Sequence, residues 1–218
     1  MGDLDLNWYV ARATAGRFFR TVFSLRIAGA RNLPPTGSGA VIASNHVSVL
    51  DPIVIATAAC MNGRQLRYFS LAEGFDKRFV GFGLRYLHQI PFVRGAGDRE
   101  ALDRMARETK EGWLTGIFPE GKMNDAEELL AGHSGAARVA VAAGGAPIIP
   151  TAIWGTNERF PPTGLHYRAP LRPTVSVVFG HPISTEGATT SPRALKKVTD
   201  QMMSDILALR THPRSTEH

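Results

Sequence analysis

After Pro34 and Pro35 the chain alternates short apolar, β-rich runs with stretches of helical periodicity, and this order constrains the fold more than any other feature. Strand, helix, strand, repeated, predicts an α/β fold with a mostly parallel central sheet flanked by helices. A crossover is needed to carry the chain back to the edge where a parallel neighbour starts. The runs Ala40 to Ser44, Leu66 to Ser70, Gln89 to Val93, Leu114 to Phe118, Ile148 to Ile153 and Val175 to Phe179 predict strands, with Arg26 to Ala28 a weaker edge. Helices are expected over Pro52 to Met61, Lys77 to Leu87, Arg99 to Trp113 and Ala136 to Ala143, with one more at the C-terminus. In the third, Leu102, Met105, Ala106 and Thr109 share an inward face. The last opens with Ser191 as N-cap and Pro192 at the first helical position, and Leu195, Val198, Met202, Ile206 and Leu209 form its apolar face.

At 218 residues, with no charge run or low-complexity stretch, one core serves one domain, expected over residues 26–210, with a frayed tail at 211–218. Residues 1–25 read as an amphipathic helix. Leu4, Trp8, Ala11, Ala15, Phe18, Phe19 and Val22 fall on one stripe while Arg12, Arg17 and Arg20 lie mostly elsewhere. Such a helix can lie in the headgroup layer of an anionic membrane or dock on the protein's own core. The N-terminus has neither a signal-type apolar core nor the roughly 18 apolar residues of a membrane span, so the expectation is a peripheral protein. Cys60 is the single cysteine, which excludes an internal disulfide and a cysteine-based metal cluster, and fits a reducing cytoplasm. A net charge of +6 favours an anionic partner. Nucleic acid is a poor candidate, because the charge is spread along the chain and no recognition motif accompanies it.

The stretch from Ser44 to Pro52 carries the densest chemistry: Asn45 and His46 follow a strand, and Asp51 and Pro52 precede a helix. On a continuous helix His46 and Asp51 would stand about 140° apart, so contact between them needs a turn. Pro52 supplies a reason for one, since it favours the first helical position and pushes Asp51 towards an extended, N-cap conformation. A histidine whose tautomer is fixed by a carboxylate is what deprotonating a hydroxyl requires. Read as isolated residues, Asp51 is more often an N-cap and His46 a satisfied loop histidine.

Two further strand ends carry charge. Ile117-Phe118-Pro119-Glu120-Gly121-Lys122 delivers a carboxylate, a glycine and a cation at a carboxyl end, where parallel sheets bind ligands. Ile90-Pro91-Phe92-Val93-Arg94-Gly95 delivers a cation able to grip a phosphate. Between Gly155 and Pro173 lies a loop rich in Pro and Gly that carries Arg159, His166, Arg168 and Arg172.

These stretches, in this order with the proline-flanked strand at Pro147 to Pro150, resemble the lysophospholipid acyltransferase family. The likeness runs from about Arg26 through Ile183 and includes Gly29-Ala30-Arg31-Asn32-Leu33-Pro34 and Phe179-Gly180-His181-Pro182-Ile183. It implies transfer of a fatty acyl group from acyl-CoA, or from acyl carrier protein, to a lysophospholipid hydroxyl without a covalent enzyme intermediate or a cofactor, as in making phosphatidic acid from 1-acylglycerol 3-phosphate. By likeness His46 is the base and Asp51 its partner. Arg94 holds the acceptor phosphate, Asn45, Glu120, Gly121 and Lys122 belong to substrate binding, and Pro150 to donor binding or local structure. The partners implied are the acyl donor, the lysophospholipid and the cytoplasmic face of an anionic membrane.

Departures bear on the acceptor. Where the family commonly reads Phe-Pro-Glu-Gly-Thr-Arg-Ser, Lys122, Met123 and Asn124 fill the last three places, and an ammonium does not reproduce the guanidinium's bidentate geometry. Where a basic residue often precedes a glycine, this chain has His133-Ser134-Gly135. Glycerol 3-phosphate or a glycolipid is an alternative acceptor, and lipid binding without turnover an alternative role. A serine hydrolase would use Ser134 within Gly132-His133-Ser134-Gly135-Ala136, but the acidic stretch before it does not read as the strand a nucleophile elbow requires. Ser48 reads as a turn residue, and His46 and Asp51 lack a third ligand at a spacing that would make a metal site.

Overall fold

The computed structural model describes residues 21, 23–71, 75, 76, 78, 85, 89–92, 98–124, 128–158, 160, 161 and 172–211. Their strands are β1 (Ser24–Ala28), β2 (Ala40–Ser44), β3 (Leu66–Leu71), β4 (Ile90–Phe92), β5 (Leu114–Ile117), β6 (Ile148–Trp154) and β7 (Thr174–Phe179). The helices are α1 (Asp51–Met61), α2 (Asp98–Lys110), α3 (Gly135–Ala142) and α4 (Pro192–Thr211), with a short 3-10 turn at Ala30–Asn32.

The strands form one sheet in the order β1-β7-β6-β2-β5-β3-β4. Every pairing is parallel except β6 with β7, so the expected mostly parallel sheet is present, with two reversed strands at one edge. β2 is buried along its whole length, as a strand covered on both faces must be, which explains why it reads as an unbroken apolar run. Its side chains alternate between two cores. Ala40 and Ile42 join α1 residues Val54, Ile55 and Ala58 on one face. Val41 and Ala43 join Met105 of α2, Val139 of α3 and Met202 and Ile206 of α4 on the other. Of the apolar faces expected on α2 and α4, Met105, Ala106, Thr109, Leu195, Met202 and Ile206 are buried and Leu102, Val198 and Leu209 half-buried, and the Ser191 hydroxyl accepts the Ala194 N–H at 3.3 Å, as an N-cap should.

Some boundaries differ from expectation. β1 begins at Ser24, inside the segment assigned to the N-terminal helix, because Ser24 pairs in register with Thr174 and Phe23 is buried in the core beside it. The rest of that helix, at residues 1–20, lies outside the described residues, as do the tail at 212–218, most of the Lys77 to Leu87 helix and most of the Gly155 to Pro173 loop. α2 stops at Lys110, short of Trp113, because Gly112 takes a φ of 100° and lies so close to Gly37 that a Cβ there would sit 2.6 Å from the Gly37 carbonyl oxygen.

Candidate active site

Strands β6, β2, β5, β3 and β4 run in one direction, so their carboxyl ends share an edge of the sheet. At that edge β2 delivers Asn45 and His46, β5 delivers Phe118 to Glu120, and β6 delivers Thr156. His46 and Asp51 meet there, with Nδ1 2.9 Å from Asp51 Oδ2. The contact orients the imidazole so that Nε2 faces away from the carboxylate.

Asp51 is fully buried, and its charge is answered by hydrogen bonds on every side. Oδ2 also accepts the N–H groups of Val47 at 2.6 Å and Ser48 at 2.8 Å, while Oδ1 accepts the Thr156 hydroxyl at 2.6 Å. The sequence-based expectation of an extended Asp51 N-cap is therefore corrected. Helix α1 starts at Asp51 itself, with Leu50 in α conformation before it. Four donors onto one carboxylate outweigh the modest preference that a following proline imposes.

Three contacts hold His46 from its other sides. Its ring lies on Phe118 with centroids 3.9 Å apart and planes 13° from parallel. Its N–H donates to Glu120 Oε1 at 3.3 Å, and its carbonyl accepts the Asn124 N–H at 2.6 Å. Only 16% of the His46 side chain is exposed, enough for an edge of the ring to reach a ligand. Behind Phe118 stacks Tyr68, at 5.1 Å and 14°. Burial pushes the Tyr68 phenol well above the usual tyrosine range, and the nearby Asp51 charge adds to the shift.

A family model described as Acyltransferase matches residues 24–154, which take in His46, Asp51, Phe118 and Glu120. The chain belongs to the acyltransferase family. It is 29% identical over 124 residues to a 1-acyl-sn-glycerol-3-phosphate acyltransferase of Bacillus subtilis, covering 57% of this chain and 60% of that one. To a chloroplastic 1-acyl-sn-glycerol-3-phosphate acyltransferase of Arabidopsis thaliana it is 27% identical over 155 residues, covering 70% of this chain and 42% of the relative. The chain thus spans less than two thirds of the length of these curated relatives. The crystal structure of the 1-acyl-sn-glycerophosphate acyltransferase PlsC from Thermotoga maritima has the same fold, with a TM-score of 0.73 at 19% identity over 97% of this chain and 81% of that one.

Within this member of the family the residues expected to bind substrate occupy distinct positions. The Asn45 carboxamide, 1% exposed, donates to the Ile153 carbonyl at 2.8 Å and accepts the Ile153 N–H at 2.9 Å. It pairs with β6 just past the end of the β2 ladder, where it braces the two strands. Glu120 is also buried: its second oxygen accepts the Leu130 N–H at 2.9 Å and the Asn124 amide at 3.1 Å, tying three loop segments together. Gly121 turns with a φ of 71°, and it and Lys122 are exposed at the rim. Pro150 lies buried in β6 opposite Ala43, and its carbonyl accepts the Gly180 N–H at 2.7 Å. Arg94 lies outside the described residues.

Ser48, read as a turn residue, and Ser134, the nucleophile a hydrolase would need, both have other partners. Ser48 is fully buried, donates to the Phe160 carbonyl at 2.6 Å and accepts the Leu50 N–H, as a turn residue does. Ser134 stands at the N-terminal boundary of α3 with no strand among residues 128–133 before it, and its oxygen accepts the Arg138 Nε–H at 3.2 Å. Ser134, His133 and Asp200 do line one cavity of about 360 Å³ between α3 and α4, but Asp200 pairs with Lys196. Among the described residues no group of three or more His, Cys, Asp or Glu is placed to hold a metal, and no helix is long and apolar enough to cross a membrane.

No sequence pattern marks Thr156, the stack of Tyr68 on Phe118, or the contacts of Asn124 with Glu120 and the His46 carbonyl. Thr156 is an ordinary loop threonine until the sheet order sets β6 beside β2, and no local pattern announces it.

Proposed function

We propose that this chain transfers a fatty acyl group from the thioester of acyl-CoA or acyl carrier protein to the free hydroxyl of a lysophospholipid, with 1-acylglycerol 3-phosphate as acceptor and phosphatidic acid as product. The observation that carries this reading is the His46–Asp51 contact at 2.9 Å, with the carboxylate buried and braced by three further donors. Family membership supplies the reaction class, and the names of the relatives supply the acceptor.

In this reading Asp51 keeps the proton of the resting imidazole on Nδ1, so Nε2 presents a lone pair. Nε2 takes the proton of the acceptor hydroxyl as its oxygen attacks the thioester carbonyl, and Asp51 steadies the imidazolium that results. The tetrahedral intermediate collapses by breaking the C–S bond. The departing thiolate recovers the proton from Nε2, leaving an oxygen ester, a free thiol and neutral His46. Every atom is accounted for without a covalent enzyme intermediate or a cofactor.

Arg94 is assigned to the acceptor phosphate, with Lys122 at the rim as a second cation. The excess of basic residues and the N-terminal stripe of Trp8, Phe18 and Phe19 support work at the cytoplasmic face of an anionic membrane, where both the acceptor and the product reside.

A mass-spectrometric transfer assay tests the acceptor. Palmitoyl-CoA and palmitoyl carrier protein are offered in turn with 1-acylglycerol 3-phosphate, glycerol 3-phosphate and a phosphate-free monoacylglycerol. Phosphatidic acid should form fastest, and Arg94→Ala should raise KM for the phosphate-bearing acceptor while sparing kcat. Equal losses with the phosphate-free acceptor would remove Arg94 from this role, and a preference for glycerol 3-phosphate would move the chain to the preceding acylation.

A further inference from the structure

We propose that Phe118 is a positioning residue for His46, held in place by Tyr68 and, through Tyr68, by the absence of a side chain at Gly116. The proposal rests on the reading of His46 as the base.

The Asp51 contact fixes one atom of the imidazole, Nδ1. A single contact leaves the plane of the ring free to tilt, because rotation about the terminal torsion of a histidine is soft. A second restraint is needed to aim Nε2, and the flat face of Phe118 supplies it with its plane 13° from parallel to the imidazole and 3.9 Å away. Phe118 is itself only partly buried at the end of β5, so its own plane needs backing. Tyr68 provides this from β3, the strand beside β5, with its ring 14° from parallel to Phe118.

Tyr68 can lie there only because Gly116, its register partner on β5, has no side chain. A Cβ at Gly116 would fall 2.3 Å, 2.4 Å and 2.6 Å from three atoms of the tyrosine ring, a distance that no real contact allows. The glycine is therefore a socket for the aromatic ring. Three adjacent layers run from a buried strand to the reactive nitrogen: Tyr68 over Gly116, Phe118 over Tyr68, and His46 over Phe118. Orientation of a base is worth much in rate, and an error of about 1 Å in its placement can cost about 100-fold.

The test is Phe118→Leu against Phe118→Tyr, with Phe118→Met as a second open-chain variant should the leucine protein fold poorly by circular dichroism. Leucine and methionine fill space beside His46 without fixing its plane, whereas tyrosine keeps the aromatic face. The open-chain variants should lower kcat about tenfold or more with KM for donor and acceptor unchanged, and Phe118→Tyr should recover most of the rate. A second readout needs no turnover. In protein carrying ¹³C-labelled histidine, the ring proton signal missing from the spectrum of His46→Ala should lie upfield in wild type and Phe118→Tyr, and move downfield in Phe118→Leu.

An unimpaired kcat in Phe118→Leu, or a loss confined to KM, beside an inactive His46→Ala protein would overturn the positioning role alone. A fully active His46→Ala protein would instead overturn the base assignment beneath it.

Discussion

The Thr156 hydroxyl donates to Asp51 Oδ1 at 2.6 Å across 105 positions of sequence, while Oδ2 of the same carboxylate faces His46. The bond joins the loop after β6 to the first turn of α1, so the orientation of His46 depends on two strands that the sheet sets side by side.

Thr156→Val keeps the shape of the residue and removes the donor, leaving Asp51 Oδ1 buried with one partner fewer. Chemical denaturation should show a loss of about 1–3 kcal/mol, the cost of leaving a buried acceptor unmet. Turnover should fall with it, and Thr156→Ser should restore both. A valine protein as stable and active as wild type would show that the bond contributes nothing.

Asn45 provides a separate test, since its carboxamide exchanges two hydrogen bonds with Ile153. Asn45→Ala should destabilise the fold by about 2 kcal/mol, a hydrogen bond contributing about 1 kcal/mol net and two being lost. In the fraction that remains folded, KM for the acceptor should be unchanged. A raised KM with unaltered stability would place Asn45 in substrate binding instead.

The contrast between these residues shows what a sequence discloses. β2, β5 and β6 were legible because a buried parallel strand has to be apolar on both faces. The faces of α2 and α4 were legible because helical period alone selects Met105, Ala106, Met202 and Ile206. The pairing of His46 with Asp51 needed only a turn between them, and Pro52 made a turn expected, although the helix started one residue earlier than the proline suggested. Thr156, Phe118 and Tyr68 reach the site through strand order and register, which depend on the whole chain. Asn45 was legible as a residue of the motif, but the direction of its side chain, towards β6, was not.

Tyr68 predicts a pH dependence. Its phenol is raised well above the ordinary value by burial first and the Asp51 charge second, and its hydroxyl has no hydrogen-bond partner among the described residues. In the unfolded chain the phenol ionises near pH 10. Above that pH the folded state retains a proton that the unfolded state has lost, so this group's contribution is full below about pH 10 and declines as pH rises towards the folded value. Tyr68→Phe should change stability at neutral pH by no more than about 1 kcal/mol and flatten its alkaline decline. Parallel wild-type and variant curves between about pH 9 and pH 11 would contradict the shift.

The most direct measurement is single-turnover transfer from radiolabelled palmitoyl-CoA to 1-acylglycerol 3-phosphate, comparing wild type with His46→Ala at matched folding by circular dichroism. The expected result is labelled phosphatidic acid from wild type and a loss of about 1000-fold or more in the variant, the scale on which removal of an oriented base acts. A His46→Ala protein that is folded and transfers the acyl group at the wild-type rate would contradict the assignment of His46 as the base.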